Sequence, residues 1–243
     1  MPVKRVKIKR SQIKKDKFID LTTVIASDVK TNWRKYFIIL SVIILLIVGS
    51  VYMINSLKKR NLEGLAKLSE ATDILFSGNY SESIELLNSV KSDYFGTFAA
   101  KKAVYYVGVA QLNTGKFDDA IVSYRQFLKS KSGIEDMRAA AYIGIGRAYE
   151  GKQLADSSIL AYEDVINKYP KSVYAPEAYL SMGRLYEGKY EVNKAIDSYE
   201  KVMYLFPESD YAKQAEFYKN MLEGALDPLT QMQQGKVENK EIK

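Results

Sequence analysis

Neither cysteine nor histidine occurs in this chain of 243 residues. Their absence excludes disulfides, thiolate and imidazole metal sites, a cysteine nucleophile and a Ser-His-Asp triad. It leaves the compartment open, since a cysteine-free chain folds equally well in reducing and oxidising surroundings. Proline is scarce, at five, and glycine modest, at fourteen. That rules out collagen-like and Pro-rich architectures and favours long uninterrupted elements over many short strands. With 47% hydrophobic and 27% charged residues, the chain is too apolar to be mostly disordered. An all-α fold in one or two modest domains is expected.

The formal net charge of +7 is unevenly placed. Residues 1–35 hold eleven Lys/Arg against three acids, while the remaining 208 residues carry 25 basic and 26 acidic side chains. The basic character therefore belongs to an N-terminal arm, residues 1–35.

From Tyr36 to Ile54 run nineteen residues without a charge, about 28 Å of helix at ~1.5 Å per residue. That matches the ~30 Å hydrocarbon core of a bilayer, so residues 36–55 are expected to form one transmembrane helix. Ser41 and Ser50 can bond back to helix carbonyls, and Trp33, Tyr36 and Tyr52 place aromatic rings near the two interfaces. A cleaved signal peptide is the competing reading. Against it stand the length of the run, the long basic segment before it and the lack of an A-x-A pattern after it. Lys and Arg are retained on the cytoplasmic side, so the arm is expected inside an inner, cytoplasmic membrane and the C-terminal domain outside it. Lys58, Lys59 and Arg60 pull the other way. Within the arm, Phe18, Leu21, Ile25, Val29 and Trp33 share one helical stripe that could lie in the interface. Ahead of it Lys4, Arg5, Lys7, Lys9, Arg10, Lys14, Lys15 and Lys17 would attract anionic lipid headgroups. A nucleic-acid role is not expected, because the arm lacks aromatic platforms and a recognition fold.

Beyond the span the sequence repeats at a spacing of 37 residues. Gly78-Asn-Tyr-Ser-Glu-Ser-Ile84 aligns with Gly115-Lys-Phe-Asp-Asp-Ala-Ile121, and the segment from Ala139 to Gly151 aligns with that from Pro176 to Gly188. Small residues (Gly108, Gly146, Gly183, Ala120, Ala195) let paired helices approach, and aromatic residues such as Tyr124, Tyr162 and Tyr199 fill the grooves beside them. Pro170 and Pro207 end the second helix of a pair.

These copies resemble the tetratricopeptide repeat (TPR), a helix-turn-helix unit of about 34 residues. The copy from Pro176 places Tyr179, Met182, Gly183, Tyr186, Ala195, Tyr199 and Pro207 at the family's positions. The copy from Ala139 supplies Tyr142, Ile145, Gly146, Tyr149, Tyr162 and Pro170, with Ser158 where Ala is usual; that from Lys101 has Gln111 for an aromatic and no closing Pro. The resemblance implies an all-α, TPR-type solenoid over residues 60–224. Its repeats would span about 64–97, 101–134, 139–172 and 176–209, with a capping helix at 210–224. The first copy matches mainly in its second half. Residues 225–243 are polar and aperiodic and are expected to be a disordered tail.

No cofactor-binding, metal-binding or catalytic motif stands out, and an enzymatic role is not expected. Gly144-Ile-Gly146 begins like a dinucleotide loop but lacks the third Gly and lies within an expected helix. Asn79-Tyr-Ser81 is a formal glycosylation sequon. The resemblance puts the A helices along a concave groove, where Arg147 and Arg184 share one repeat position, each followed three residues later by Glu150 and Glu187. Lys102 and Tyr105 extend the row. The row would either grip an acidic or C-terminal peptide by guanidinium forks, or be a set of ion pairs, each Arg with its own Glu or with a neighbouring repeat. The layout of basic arm, span and repeats resembles bacterial membrane-anchored TPR proteins and is similar to the ancillary subunit of the Sec translocon. That implies a protein-binding scaffold or chaperone-like adaptor in the cell envelope. Coordination of cell-wall or outer-membrane assembly is the alternative, as is a cytosol-facing membrane receptor if the topology is reversed.

Overall fold

A computed structural model describes residues 22, 23, 25, 27–130 and 135–241, those after 225 by backbone alone. The arm's eight basic residues from Lys4 to Lys17, with Phe18 and Leu21, lie outside the described residues. Nine helices carry the names used below: α1 Trp33–Phe76, α2 Tyr80–Asp93, α3 Phe98–Asn113, α4 Phe117–Lys129, α5 Glu135–Gly151, α6 Ala155–Lys168, α7 Ala175–Gly188, α8 Val192–Leu205 and α9 Asp210–Glu241. The chain divides into two units, residues 1–59 and 60–243.

In the first unit, residues 27–31 are helical and bend at Asn32, and Ile25 and Val29 are exposed. The apolar run is exposed on nearly every side chain and is long and apolar enough to cross a membrane. Ser41 Oγ donates to Phe37 O at 2.8 Å and Ser50 Oγ to Leu46 O, so both hydroxyls are satisfied within the helix. The span was expected to end near residue 55 and the repeats to begin after 60. The second unit begins at residue 60, and α1 runs through that boundary without a break, because residues 55–63 contain neither Gly nor Pro to stop it.

The second unit is a stack of helical hairpins. The end of α1 pairs with α2, α3 with α4, α5 with α6 and α7 with α8, and α9 lies against α7 and α8. In each hairpin a small residue of the first helix faces one of the second, twelve residues on: Ala71 and Ser83, Gly108 and Ala120, Gly146 and Ser158, Gly183 and Ala195. One turn further lie Leu87, Tyr124, Tyr162 and Tyr199, all essentially without solvent contact. A Cβ on Gly146 would run into the ring of Tyr162, and one on Gly183 into that of Tyr199. Gly144 faces the opposite way, onto Tyr124 of the preceding hairpin. The Gly-x-Gly pair is thus a packing device between two tyrosines.

Ser158, where Ala was expected, is fully buried and donates to Gly146 O at 2.8 Å; Ser83 makes the same bond to Ala71 O. A buried hydroxyl is tolerated once it has this partner. The capping helix was expected to close at 224, with a disordered tail after it. Here α9 continues to Glu241, past Pro228 and Gly235, with the good helix formers Leu, Gln, Met, Lys and Glu around them.

Candidate protein-binding face

Successive first helices of the hairpins lie side by side, α3 on α5 and α7 on α9. Arg147 of α5, Glu177 of α7 and Tyr211 of α9 meet there, with Tyr105 of α3 close enough to feel their charges, while Lys102 lies on α3 and Arg184 on α7. Arg147 Nη2 meets Glu177 Oε1 at 2.7 Å, and Tyr211 donates its hydroxyl to Glu177 Oε2 at 3.2 Å. Glu177 is buried while the Arg147 side chain remains 57% exposed, so a charge at the base of the face is covered by a guanidinium at its surface. Burial works against the charge on Arg147, but Glu177 holds its pKa above the ordinary value. Burial likewise pushes Tyr211 up, with Glu177 beside it adding to the shift.

Of the two readings of the arginine row, Arg147 follows the inter-repeat ion pair. Neither Glu150 nor Glu187 forms an ion pair with Arg147 or Arg184 among the described residues. Each accepts the hydroxyl of its own hairpin's buried tyrosine, Tyr162 to Glu150 and Tyr199 to Glu187, the latter at 2.9 Å. These bonds give the buried tyrosines of hairpins three and four a partner for their hydroxyls, where the first hairpin buries Leu87. Arg184 is exposed and makes no ion pair among the described residues; with Glu187, Tyr190, Tyr218 and Leu222 it lines a cleft of about 580 Å³. Tyr105 belongs largely to the core, with ring centroids 5.7 Å from Tyr124 and 5.4 Å from Phe127. Burial pushes its phenol well up. Lys102 sits over the Phe98 ring at 5.2 Å.

Sequence reasoning missed Glu177 and Tyr211. A signal was there: Pro170, Ser172, Tyr174, Ala175 and Ala178 recur 37 residues later as Pro207, Ser209, Tyr211, Ala212 and Ala215. The capping helix is therefore the first helix of a fifth copy, and its opening tyrosine faces the fourth. On the other side of the stack, a groove of about 520 Å³ runs between α4, α5 and α6, with Leu128, Tyr142 and Leu160 among its apolar lining and Arg125, Lys129 and Asp164 among its charges. Among the described residues, no three His, Cys, Asp or Glu are placed to hold a metal ion.

The tetratricopeptide repeat family model matches residues 102–130, 140–172 and 177–209. No curated protein matches the chain. Among solved structures, a tetratricopeptide repeat protein from Parabacteroides merdae ATCC 43184 is similar at a TM-score of 0.55 and 16% identity, over 68% of this chain and 61% of that one. The chain thus spans less than two thirds of that protein. The MamA protein is similar at a TM-score of 0.52 and 21% identity, over 73% of this chain and 92% of that one. A chain of the APC/C hetero-tetramer Cut9–Hcn1 is similar at 0.51 and 19%, over 63% and 29%. What is shared at these identities is the fold. The repeat match over these three segments, the small-on-aromatic packing in every later hairpin and these neighbours together show an all-α solenoid of tetratricopeptide type.

Proposed function

We propose that the chain is a membrane-anchored protein-binding adaptor of the bacterial cell envelope, its solenoid outside the cytoplasm and its work accessory to proteins crossing or leaving the inner membrane. Tetratricopeptide repeats are protein-interaction scaffolds, and the observation that carries the finer reading is α1. Its first part is an uncharged, exposed run behind eleven basic residues, and its last part supplies Leu68, Ala71 and Leu75 to the first hairpin's core. A signal peptide removed by cleavage would have no reason to be continuous with a core helix. Fusion of alkaline phosphatase after the last residue tests the topology: an active reporter supports it. An inactive reporter, with a fluorescent cytosolic fusion, would instead favour the cytosol-facing receptor for which Lys58, Lys59 and Arg60 speak.

Within this reading the partner is an extended acidic segment held on the face between Tyr105 and Arg184, with Lys102, Arg147, Glu150 and Glu187 along the same row. Arg184 is its exposed, uncommitted guanidinium, whereas Arg147 is already engaged by Glu177. Arg184→Ala should therefore weaken capture of a crosslinked partner at unchanged helix content. Arg147→Ala would leave the buried Glu177 short of a partner and cost stability of order 1–3 kcal/mol, which makes it the poorer probe. The basic arm, Lys4 to Lys17, would hold anionic lipid on the cytoplasmic side.

A further inference from the structure

Three features tie the α2–α3 loop to the start of the second unit. Arg60 Nη2 donates to Asp93 O at 2.8 Å, and Ala99 N donates to Asn61 Oδ1 at 3.1 Å. Gly64 lets the loop press close, for a Cβ there would stand 2.8 Å from Tyr94 Cγ and 2.9 Å from Ala99 Cβ. The loop is therefore fixed to residues 60–64. Arg60 follows Ile54, the last residue of the uncharged run, by six positions, which is about 9 Å of helix and no more than about 20 Å of fully extended chain. If residues 36–55 span a membrane, as proposed above, this loop is tethered within reach of its surface.

The chemistry of the loop suits that place. Phe95, at its tip, is 79% exposed, and Gly96 (φ +83°) turns the chain sharply after it. Beside Phe95 opens a slot of about 240 Å³ with Ala100, Val104 and Phe127 as its apolar lining and Lys91, Lys101, Gln126 and Ser130 as its polar groups. The loop's one acid, Asp93, accepts from Ser92 Oγ at 2.9 Å. An exposed aromatic ring with two ammonium groups at an apolar slot matches the headgroup–acyl boundary of an anionic bilayer, where apolar burial and attraction to anionic headgroups act together.

We propose that the Phe95 loop and its slot are a second membrane contact, engaging anionic phospholipid next to the anchor. The proposal rests on the anchored reading. Because the chain has no cysteine, Phe95→Cys in the full-length protein gives a unique attachment point for a nitroxide; Tyr204→Cys, at a site 84% exposed in the fourth hairpin, is the control. Both would be reconstituted in phosphatidylcholine vesicles with and without phosphatidylglycerol. The nitroxide at 95 should collide preferentially with oxygen rather than a water-soluble nickel reagent when phosphatidylglycerol is present. Lys91→Gln with Lys101→Gln should lose most of that preference, and the label at 204 should stay water-accessible throughout. A water-accessible label at 95 in both lipid mixtures, in protein that floats with the vesicles, would overturn the proposal and leave the slot to a peptide. Immersion unaffected by lipid charge or by the lysine changes would overturn the recognition of anionic lipid. Failure to float with the vesicles at all would remove the anchor itself, and this inference with it.

Discussion

Gln153 and Tyr190 hold positive φ, +58° and +60°, at the turn position where the first two hairpins use Gly78 and Gly115. For a residue with a Cβ this region costs roughly 1–2 kcal/mol, and the Tyr190 side chain is 90% exposed, so little packing offsets it. Tyr190→Gly should therefore raise the unfolding free energy by about 1 kcal/mol, less whatever entropy the extra glycine adds to the unfolded chain. A denaturant midpoint that moves down would show that Tyr190 makes contacts that outweigh its strain. Gly183 is the opposite case. Its Cα lies under the Tyr199 ring, and Gly183→Ala should destabilise by about 1–3 kcal/mol through overpacking. An unchanged midpoint would mean that the ring shifts freely. Replacing both together should add the two effects only in part, since each acts within the fourth hairpin.

At the scale of the hairpin, the recurring element is a buried tyrosine over a small residue. Burial pushes the phenols of Tyr124, Tyr162 and Tyr199 up from the ordinary value of 10.0, and Tyr105 with them. A pKa raised in the folded state means that the unfolded chain releases protons the folded chain keeps. Stability is then fully present below pH 10 and falls as the pH rises above it. Phenolate absorbance should accordingly appear in two phases, the exposed tyrosines first and these four only as the helical signal collapses. Complete ionisation before any loss of helix would contradict their burial. The hairpins were legible in the sequence because Gly183, Tyr199 and Pro207 repeat Gly146, Tyr162 and Pro170 at 37 residues, and each type has one steric reason for its place. The ion pairs were not. Arg147 and Glu177 lie thirty residues apart in different repeats, so the spacing left the arginine's own Glu and a neighbouring repeat as equal candidates, and the bond from Tyr162 that occupies Glu150 has no mark in that spacing. Likewise the merger of span and first hairpin had no mark in the sequence beyond the lack of a helix breaker between residues 55 and 63.

For the whole molecule, that merger sets where the solenoid begins. Leu68 and Ala71 on α1 pack against Leu87, Val90, Ala99 and Ala103, Leu75 is buried on the same helix, and Ala71 O is the acceptor that satisfies the buried Ser83 hydroxyl. A fragment beginning at Arg60 keeps all of these and should fold as a monomeric helical stack. One beginning at Tyr80 loses two buried leucines, each worth about 1.5–3 kcal/mol, and leaves a buried hydroxyl without its partner, at about 1–3 kcal/mol. Because each repeat contacts only its neighbours, the loss stays local. Hydrogen exchange of the shorter fragment should show α2 and α3 nearly unprotected and α5 to α8 little changed. Equal protection of α2 in both fragments would mean that α1 contributes nothing to the stack beyond its span. Uniform loss through α8 would show instead that the solenoid folds as one cooperative unit, so that strain or partner binding at one end is felt at the other.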